Sequence, residues 1–120
     1  MASLAYILPY LPGKEEVARD MLERLQQPGP MHDAYVASRT AKGITRETVR
    51  RQKTPDGSFA IIVLEGDDIG AALQQYATSD DAFDRQFREF VKEVHGIDLA
   101  LDPPPDVVLV SDAEFQPARP

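Results

Sequence analysis

Residues 45–65 read TRETVRRQKTPDGSFAIIVLE, and this stretch decides the fold. β-Branched content and alternation are typical of a strand before the segment Thr54-Pro55-Asp56-Gly57, and the residues after it are richer still in β-branched and other apolar side chains. Proline presets the first central dihedral angle of a tight turn, and glycine accepts the positive φ that follows it. The pattern therefore predicts a strand over 45–54, a second strand over 58–65, and an antiparallel hairpin between them.

The length of the turn determines which side chains of the hairpin share a face. A three-residue bulged turn would place three polar side chains of the first strand beside the apolar residues Ala60, Ile62 and Leu64 of the second. A two-residue turn would shift this pairing. The polar set is Thr48, Arg50 and Gln52, and the sequence leaves its face open.

Before the hairpin, the apolar run from Leu4 to Pro9 predicts a first strand, and a helix follows from Gly13. Its apolar residues recur at spacings of three and four, which predicts a stripe that faces a sheet. The segment 28–30, Pro-Gly-Pro, must interrupt this helix because proline removes an amide donor. A second helical piece is predicted from Met31 to Ala41, with Gly43 as its C-terminal cap.

After the hairpin, Asp67 and Asp68 suit the start of a short helix. Ser79 or Asp80 then caps the helix with the strongest apolar stripe, which ends at Gly96. On its polar face we expect Asp84 to pair with Arg88 four residues later. The apolar stripe consists of Phe83, Phe87, Phe90, Val91 and Val94.

The last predicted element is a strand over Val107–Val110, which follows an extended crossover through Pro103, Pro104 and Pro105. The complete order is a ferredoxin-like βαββαβ arrangement with the helices on one face of a four-stranded antiparallel sheet. This α+β domain is expected to occupy residues 1–112, and residues 113–120 are predicted to form a flexible tail.

The predicted strands are apolar on both faces, although the helices cover only one. A large exposed apolar patch is rare on a monomer, so we expect a homodimer whose two sheets stack face to face. The alternative is a monomer whose tail folds over the second face.

Composition restricts the classes of function. The chain has 120 residues, 20 acidic and 13 basic side chains and no cysteine. A net charge of -7 argues against nucleic acid as a partner, and the lack of cysteine is consistent with a reducing, cytoplasmic location. The apolar N-terminus lacks a basic region and soon meets Pro9 and Pro12, so we predict neither a signal peptide nor a membrane span.

Four motifs give the chain a resemblance to small uncharacterised proteins of the dimeric α/β-barrel superfamily. The resemblance implies a ferredoxin-like subunit that pairs into a barrel with a central cavity. Relatives in that superfamily include cofactor-free monooxygenases, polyketide cyclases, isomerases and haem proteins, so no single activity follows. The motifs are Gly43-Ile44-Thr45-Arg46-Glu47, Gln52-x-Thr54-Pro55-x-Gly57, Ser79-Asp80-Asp81-x-Phe83-Asp84-Arg85 and Val94-His95-Gly96-Ile97-Asp98-Leu99.

The candidate site residues follow from strand alternation and from titration chemistry. Thr48, Arg50 and Gln52 would project from one strand face, where a barrel cavity could use them to bind an anionic or carbonyl group. Otherwise they form a solvated face or part of an ion pair between subunits. Tyr6 and Tyr35 are candidates to add hydroxyl groups to the same substrate site.

His95 is the second catalytic candidate beside Arg50, because a histidine titrates near neutral pH. The structural alternative is that it stabilises the C-terminal end of its helix. With two distant histidines and no ligand-spaced cluster, no metal or cofactor is predicted. The leading hypothesis is a dimer that binds a small organic molecule and, if catalytic, acts as a cofactor-independent enzyme. The alternative is a non-catalytic interaction protein with a packed dimer core.

Overall fold

Seven helices and strands lie within residues 2–116, the part of the chain that the computed structural model describes. Their order along the chain is β, α, α, β, β, α, α. They are β1 (Ala2–Pro9), α1 (Glu15–Gln26), α2 (Pro30–Ala41), β2 (Ile44–Thr54), β3 (Gly57–Gly66), α3 (Ile69–Thr78) and α4 (Ala82–His95).

The three strands form one antiparallel sheet in the order β1-β3-β2. The predicted four-stranded ferredoxin-like sheet is therefore wrong. Val107–Val110 pairs with no strand among residues 2–116, and its side chains are 46 to 93% exposed. High strand propensity is not sufficient without a partner edge, and the preceding prolines, which lack amide hydrogens, hold the chain extended.

The hairpin closes with a two-residue turn, because Thr54 pairs directly with Gly57. The Thr54 hydroxyl accepts a hydrogen bond from the Asp56 amide at 3.1 Å and donates one to the Gly57 carbonyl at 3.1 Å. Gly57 has a φ of 140°, a value that side-chain-bearing residues rarely adopt. In this register Glu47 lies opposite Leu64 and Thr48 lies opposite Val63.

The predicted helix boundaries are confirmed to within a few residues. The Pro28-Gly29-Pro30 break separates α1 from α2, as predicted. The N-cap of α4 is Asp81 rather than Ser79 or Asp80, and its carboxylate accepts from the Phe83 amide at 3.1 Å. Gly96 caps the other end in the left-handed conformation, with a φ of 70°.

The helices cover one face of the sheet and leave the other open. On the covered face Ala60, Ile62 and Leu64 are buried, whereas their neighbours Ile61 and Val63 on the open face are only half-buried. A second apolar cluster joins α1 to α4 through Ala18, Phe90, Val91 and Val94. None of the helices within residues 2–116 is long and apolar enough to cross a membrane.

Residues 97–116 contain turns but no helix or strand. The Asp98 amide donates to the Asp102 carboxylate at 2.7 Å, and no helix or strand follows it up to residue 116. The part of the predicted tail over 117–120 lies outside the described residues. Residues 107–112, which we assigned to the domain, have the same exposed character as 113–116.

Candidate ligand-binding cleft

A cleft of about 940 Å³ separates the covered face of the sheet from the helices. It arises because the two apolar clusters, one on the sheet and one between α1 and α4, meet at Leu8 and Tyr10 without filling the space between them. Its volume lies within the range of small-molecule sites. Lining side chains include Tyr6, Leu8, Tyr10, Leu22, Glu47, Val49, Ala60, Ile62, Leu73, Tyr76, Phe87, Phe90, Val91 and His95.

One end of the cleft holds a buried ion pair between Glu47 of β2 and Arg39 of α2. The guanidinium donates to both carboxylate oxygens of Glu47, from Nε at 3.0 Å and from a terminal nitrogen at 3.3 Å. The Tyr35 hydroxyl donates to the same carboxylate at 2.8 Å. Glu47 faces inward because it shares the covered face with Leu64. Its charge is therefore held by three donated hydrogen bonds.

Aromatic rings enclose the Arg39 guanidinium. Its central carbon lies 4.4 Å from the ring centre of Phe87, 4.5 Å from that of Tyr76 and 4.8 Å from that of Tyr35. Such cation–π contacts stabilise a cation that has lost its water. Burial alone would lower the pKa of Arg39, but Glu47 and the tyrosines raise it above its ordinary value. This end of the cleft is thus a charged wall.

Three tyrosine hydroxyls border this wall and stay protonated near neutral pH. Burial, followed by the charge of Glu47, raises the pKa of Tyr6 to about 12. The same two causes, in the same order, raise the pKa of Tyr35 and of Tyr76. The Tyr76 hydroxyl is buried and has no hydrogen-bond partner among the described residues. Because Tyr35 already donates its hydrogen to Glu47, the Tyr6 and Tyr76 hydroxyls are the ones that can donate to a bound molecule at this end of the cleft.

His95 marks the other end of the cleft. Its Nδ1 lies 2.8 Å from the Pro9 carbonyl oxygen, which can only accept, so Nδ1 carries the hydrogen. Its ring centre lies 4.9 Å from that of Tyr10. Burial lowers the pKa of His95, although the bond to Pro9 opposes the shift. In the neutral imidazole Nε2 is then an acceptor, and it has no partner among residues 2–116.

The two polar ends are separated along the direction of β1. Tyr6 lies opposite Ile62, and Tyr10, next to His95, lies four residues further along the extended chain. At roughly 3.3 Å per residue this separation is about 13 Å. The floor between them is apolar, with Leu8 opposite Ala60. The cleft therefore offers hydroxyl donors at one end, an imidazole acceptor at the other, and an apolar surface between.

The structure divides the substrate-binding and catalytic residues predicted from the sequence. Tyr6 and His95 line the cleft, and Tyr35 contacts its charged wall through Glu47. The other three residues lie on the open face of the sheet, where Arg50 and Gln52 are exposed and Thr48 is half-buried. They lie opposite Ile61, Phe59 and Val63, and the two-residue turn is the reason. The cleft is therefore not formed by Thr48, Arg50 and Gln52.

Sequence reasoning missed Glu47 and Arg39, although both left a signal. Glu47 alternates with Val49 along β2, which places both side chains on one face, and a carboxylate on a buried face needs a cation. Arg39 follows Tyr35 by four residues, which places both side chains on one face of α2. Neither signal identified the partner, because α2 and β2 meet only in the folded chain.

A second, smaller cavity of about 460 Å³ lies between α2, α3 and α4. Its wall contains Ser38 and Lys42, which lie about one helical turn apart on α2, together with Asp84. The Lys42 ammonium donates to the Ser38 hydroxyl at 2.9 Å, the Ser38 carbonyl at 3.2 Å and Asp84 at 2.8 Å. A lysine acting as a base needs a free lone pair, and this one uses all three hydrogens. The cluster therefore links α2 to α4 and is not a catalytic dyad.

No group of three or more histidine, aspartate or glutamate side chains within residues 2–116 is arranged to hold a metal ion. Comparison of the chain with protein-family models, with curated proteins and with solved structures gives no match. The resemblance drawn from the sequence thus stays a prediction, and function must be argued from the cleft itself.

Proposed function

We propose that this protein binds a small, mainly apolar organic molecule in the cleft between the sheet and the helices. The single observation that carries this proposal is an open volume of about 940 Å³ at the place where a domain of this size would otherwise have a closed core. The apolar floor favours a ring or chain, and polar atoms at both ends would orient it. A molecule with an oxygen acceptor at one end and a donor at the other suits this arrangement best.

A second candidate function is proton transfer without a cofactor, and His95 favours it. A neutral imidazole whose Nδ1 is fixed by the Pro9 carbonyl presents Nε2 as an acceptor. Burial lowers its pKa, so the neutral form prevails at pH 7. In this reading Nε2 of His95 accepts a proton from an acidic group of the bound molecule, which keeps the electron pair as an anion, and the Tyr6 hydroxyl at the far end of the cleft holds the molecule in place by donating to another of its oxygens.

Homodimer formation belongs to the same proposal. It is supported by the exposed apolar run Val107–Val110, which has no partner within residues 2–116. A protein that exposes such a run on its own is prone to associate.

Ligand binding is tested by titration with the neutral fluorescent probe N-phenyl-1-naphthylamine. We expect saturable enhancement of its fluorescence by the full chain. Ala77→Phe, which fills the cleft from α3, should weaken the probe's affinity at least tenfold. The matched control is Ala71→Phe, on the same helix but away from the cleft.

Both variants are first checked for an unchanged circular dichroism spectrum and melting temperature. If the probe binds both folded variants with equal affinity, its binding site lies outside the cleft, which would contradict the proposal. Absence of saturable binding by the parent chain would contradict it as well.

A further inference from the structure

The C-terminal arm, defined as residues 106–116, lies outside any helix or strand and is apolar and acidic. Its centre is Val107–Val110, and Phe115 near its end is 89% exposed. Three carboxylates flank this centre, from Asp106, Asp112 and Glu114, and none has an ion-pair partner among the described residues. The radius of gyration is 15.9 Å, against about 14 Å for a compact chain of this length. The arm thus projects from the domain with its apolar side chains uncovered.

The outer edge of β2 has the complementary properties. β2 is an edge strand, so half of its backbone amides and carbonyls have no strand beyond them within residues 2–116. It carries four basic residues and one acidic residue, and Arg50 and Lys53 are exposed without an ion-pair partner in the described chain. β2 has 11 residues, the same length as the arm. The other edge strand, β1, carries no charged side chain.

We propose that the arm of a second copy of this chain adds to the outer edge of β2 as a fourth strand, with its carboxylates beside the arginine and lysine side chains. The inference rests on the proposed homodimer and names the surfaces that form it. Strand addition would satisfy the free backbone groups of β2 and cover part of the exposed valine run. Charge complementarity favours β2 over β1 as the docking edge.

The first experiment measures the dissociation constant of the dimer by sedimentation velocity on the full chain. Val108→Pro with Leu109→Pro removes two consecutive amide donors, one for each side of the strand, in a segment already compatible with proline. We expect this variant to be monomeric at concentrations where the parent chain is dimeric. An unchanged dissociation constant would overturn the arm's role while leaving a homodimer intact.

Charge reversal identifies the docking edge. Arg50→Glu with Lys53→Glu should raise the dissociation constant at least tenfold. Adding Asp112→Lys with Glu114→Lys should restore most of the lost affinity. The control, Arg24→Glu with Arg85→Glu, makes the same charge change on exposed positions of α1 and α4 and should leave the constant near that of the parent chain.

The outcomes separate this inference from the homodimer on which it rests. Weaker dimerisation of the β2 double variant, with affinity recovered in the four-fold variant, supports pairing of the arm with β2. If the control variant weakens the dimer equally, or if the four-fold variant does not recover affinity, that pairing is overturned. A parent chain that is monomeric at all concentrations overturns both proposals, and protection of its arm from amide exchange would then show that the arm covers its own sheet.

Discussion

The Lys42 ammonium nitrogen lies 2.8 Å from an oxygen of the Asp84 carboxylate, and each side chain is only 4% exposed. This pair joins the end of α2 to the start of α4, residues 42 positions apart in sequence. Ser38 completes the pair by donating to the second carboxylate oxygen at 2.5 Å. Because α4 forms one wall of the cleft, the pair helps to fix the position of that wall.

Removing one partner of this pair should cost far more stability than removing both. Lys42→Met leaves a buried carboxylate without its cation, and we expect the free energy of unfolding to fall by about 3 to 5 kcal/mol. The double variant Lys42→Met with Asp84→Leu should lie within about 1 to 2 kcal/mol of the parent chain. Urea unfolding measures the free energy of unfolding of the single and the double variant. Equal losses in the single and double variants would show that the charges do not act as a pair.

The same pair predicts loss of stability in acid. Burial alone would raise the pKa of Asp84, but hydrogen bonds from Lys42 and Ser38 outweigh it and hold the pKa below its ordinary value. The unfolded chain therefore takes up the proton first, near pH 4. The stability that this shift contributes is complete above that pH and is lost as the pH falls through the folded-state pKa. Between pH 6 and 2.5 the free energy of unfolding should therefore fall more steeply for the parent chain than for the double variant, which lacks the Asp84 carboxyl. Equal falls in the two chains would contradict this prediction.

Two tyrosine hydroxyls that border Arg39 should respond differently to removal. The Tyr35 hydroxyl donates to Glu47, so Tyr35→Phe should destabilise the fold by about 1 to 2 kcal/mol. The Tyr76 hydroxyl is buried without a partner, so Tyr76→Phe should be neutral or stabilising by up to about 1 kcal/mol. Thermal unfolding of the two variants and the parent chain measures these changes in stability. A larger loss for Tyr76→Phe would mean that its hydroxyl is bonded in solution.

His95 predicts a second pH window, separate from that of Asp84. Burial lowers its pKa below the ordinary 6.5, so protonation favours the unfolded chain. Its contribution to stability is complete above pH 6.5 and declines as the pH falls through the folded-state pKa. The melting temperature of the parent chain should therefore fall between pH 7 and pH 5. His95→Gln should show a shallower fall over the same range, and identical slopes would assign the effect to other groups.

Local sequence patterns predicted the local structure. The turn at residues 54–57, the break at Pro28-Gly29-Pro30 and the Gly96 cap depend on neighbouring residues, and all three are confirmed. The face of each strand could not be assigned, because one residue in the turn length exchanges Glu47 for Thr48 on the covered face. This exchange is the reason that the cleft differs from the predicted site.

The sequence did not reveal which distant residues pair with one another. Asp84 was expected to pair with Arg88, four residues away, but it pairs with Lys42. Arg88 instead donates to the Tyr76 carbonyl at 2.9 Å. The run Val107–Val110 has strand propensity, yet a strand needs a second edge, and none within residues 2–116 supplies it. Spacing along one helix or strand predicts neighbours on that element alone.

Nuclear magnetic resonance with N-phenyl-1-naphthylamine tests the central claim most directly, because it locates the bound molecule on one face of the sheet. Methyl resonances of Val49, Ile62 and Val91, which lie in or beside the cleft, should shift in a saturable manner. Those of Ile61 and Val63, on the open face, should stay in place. Shifts confined to Ile61 and Val63, or no saturable shift at any of the five residues, would contradict the account.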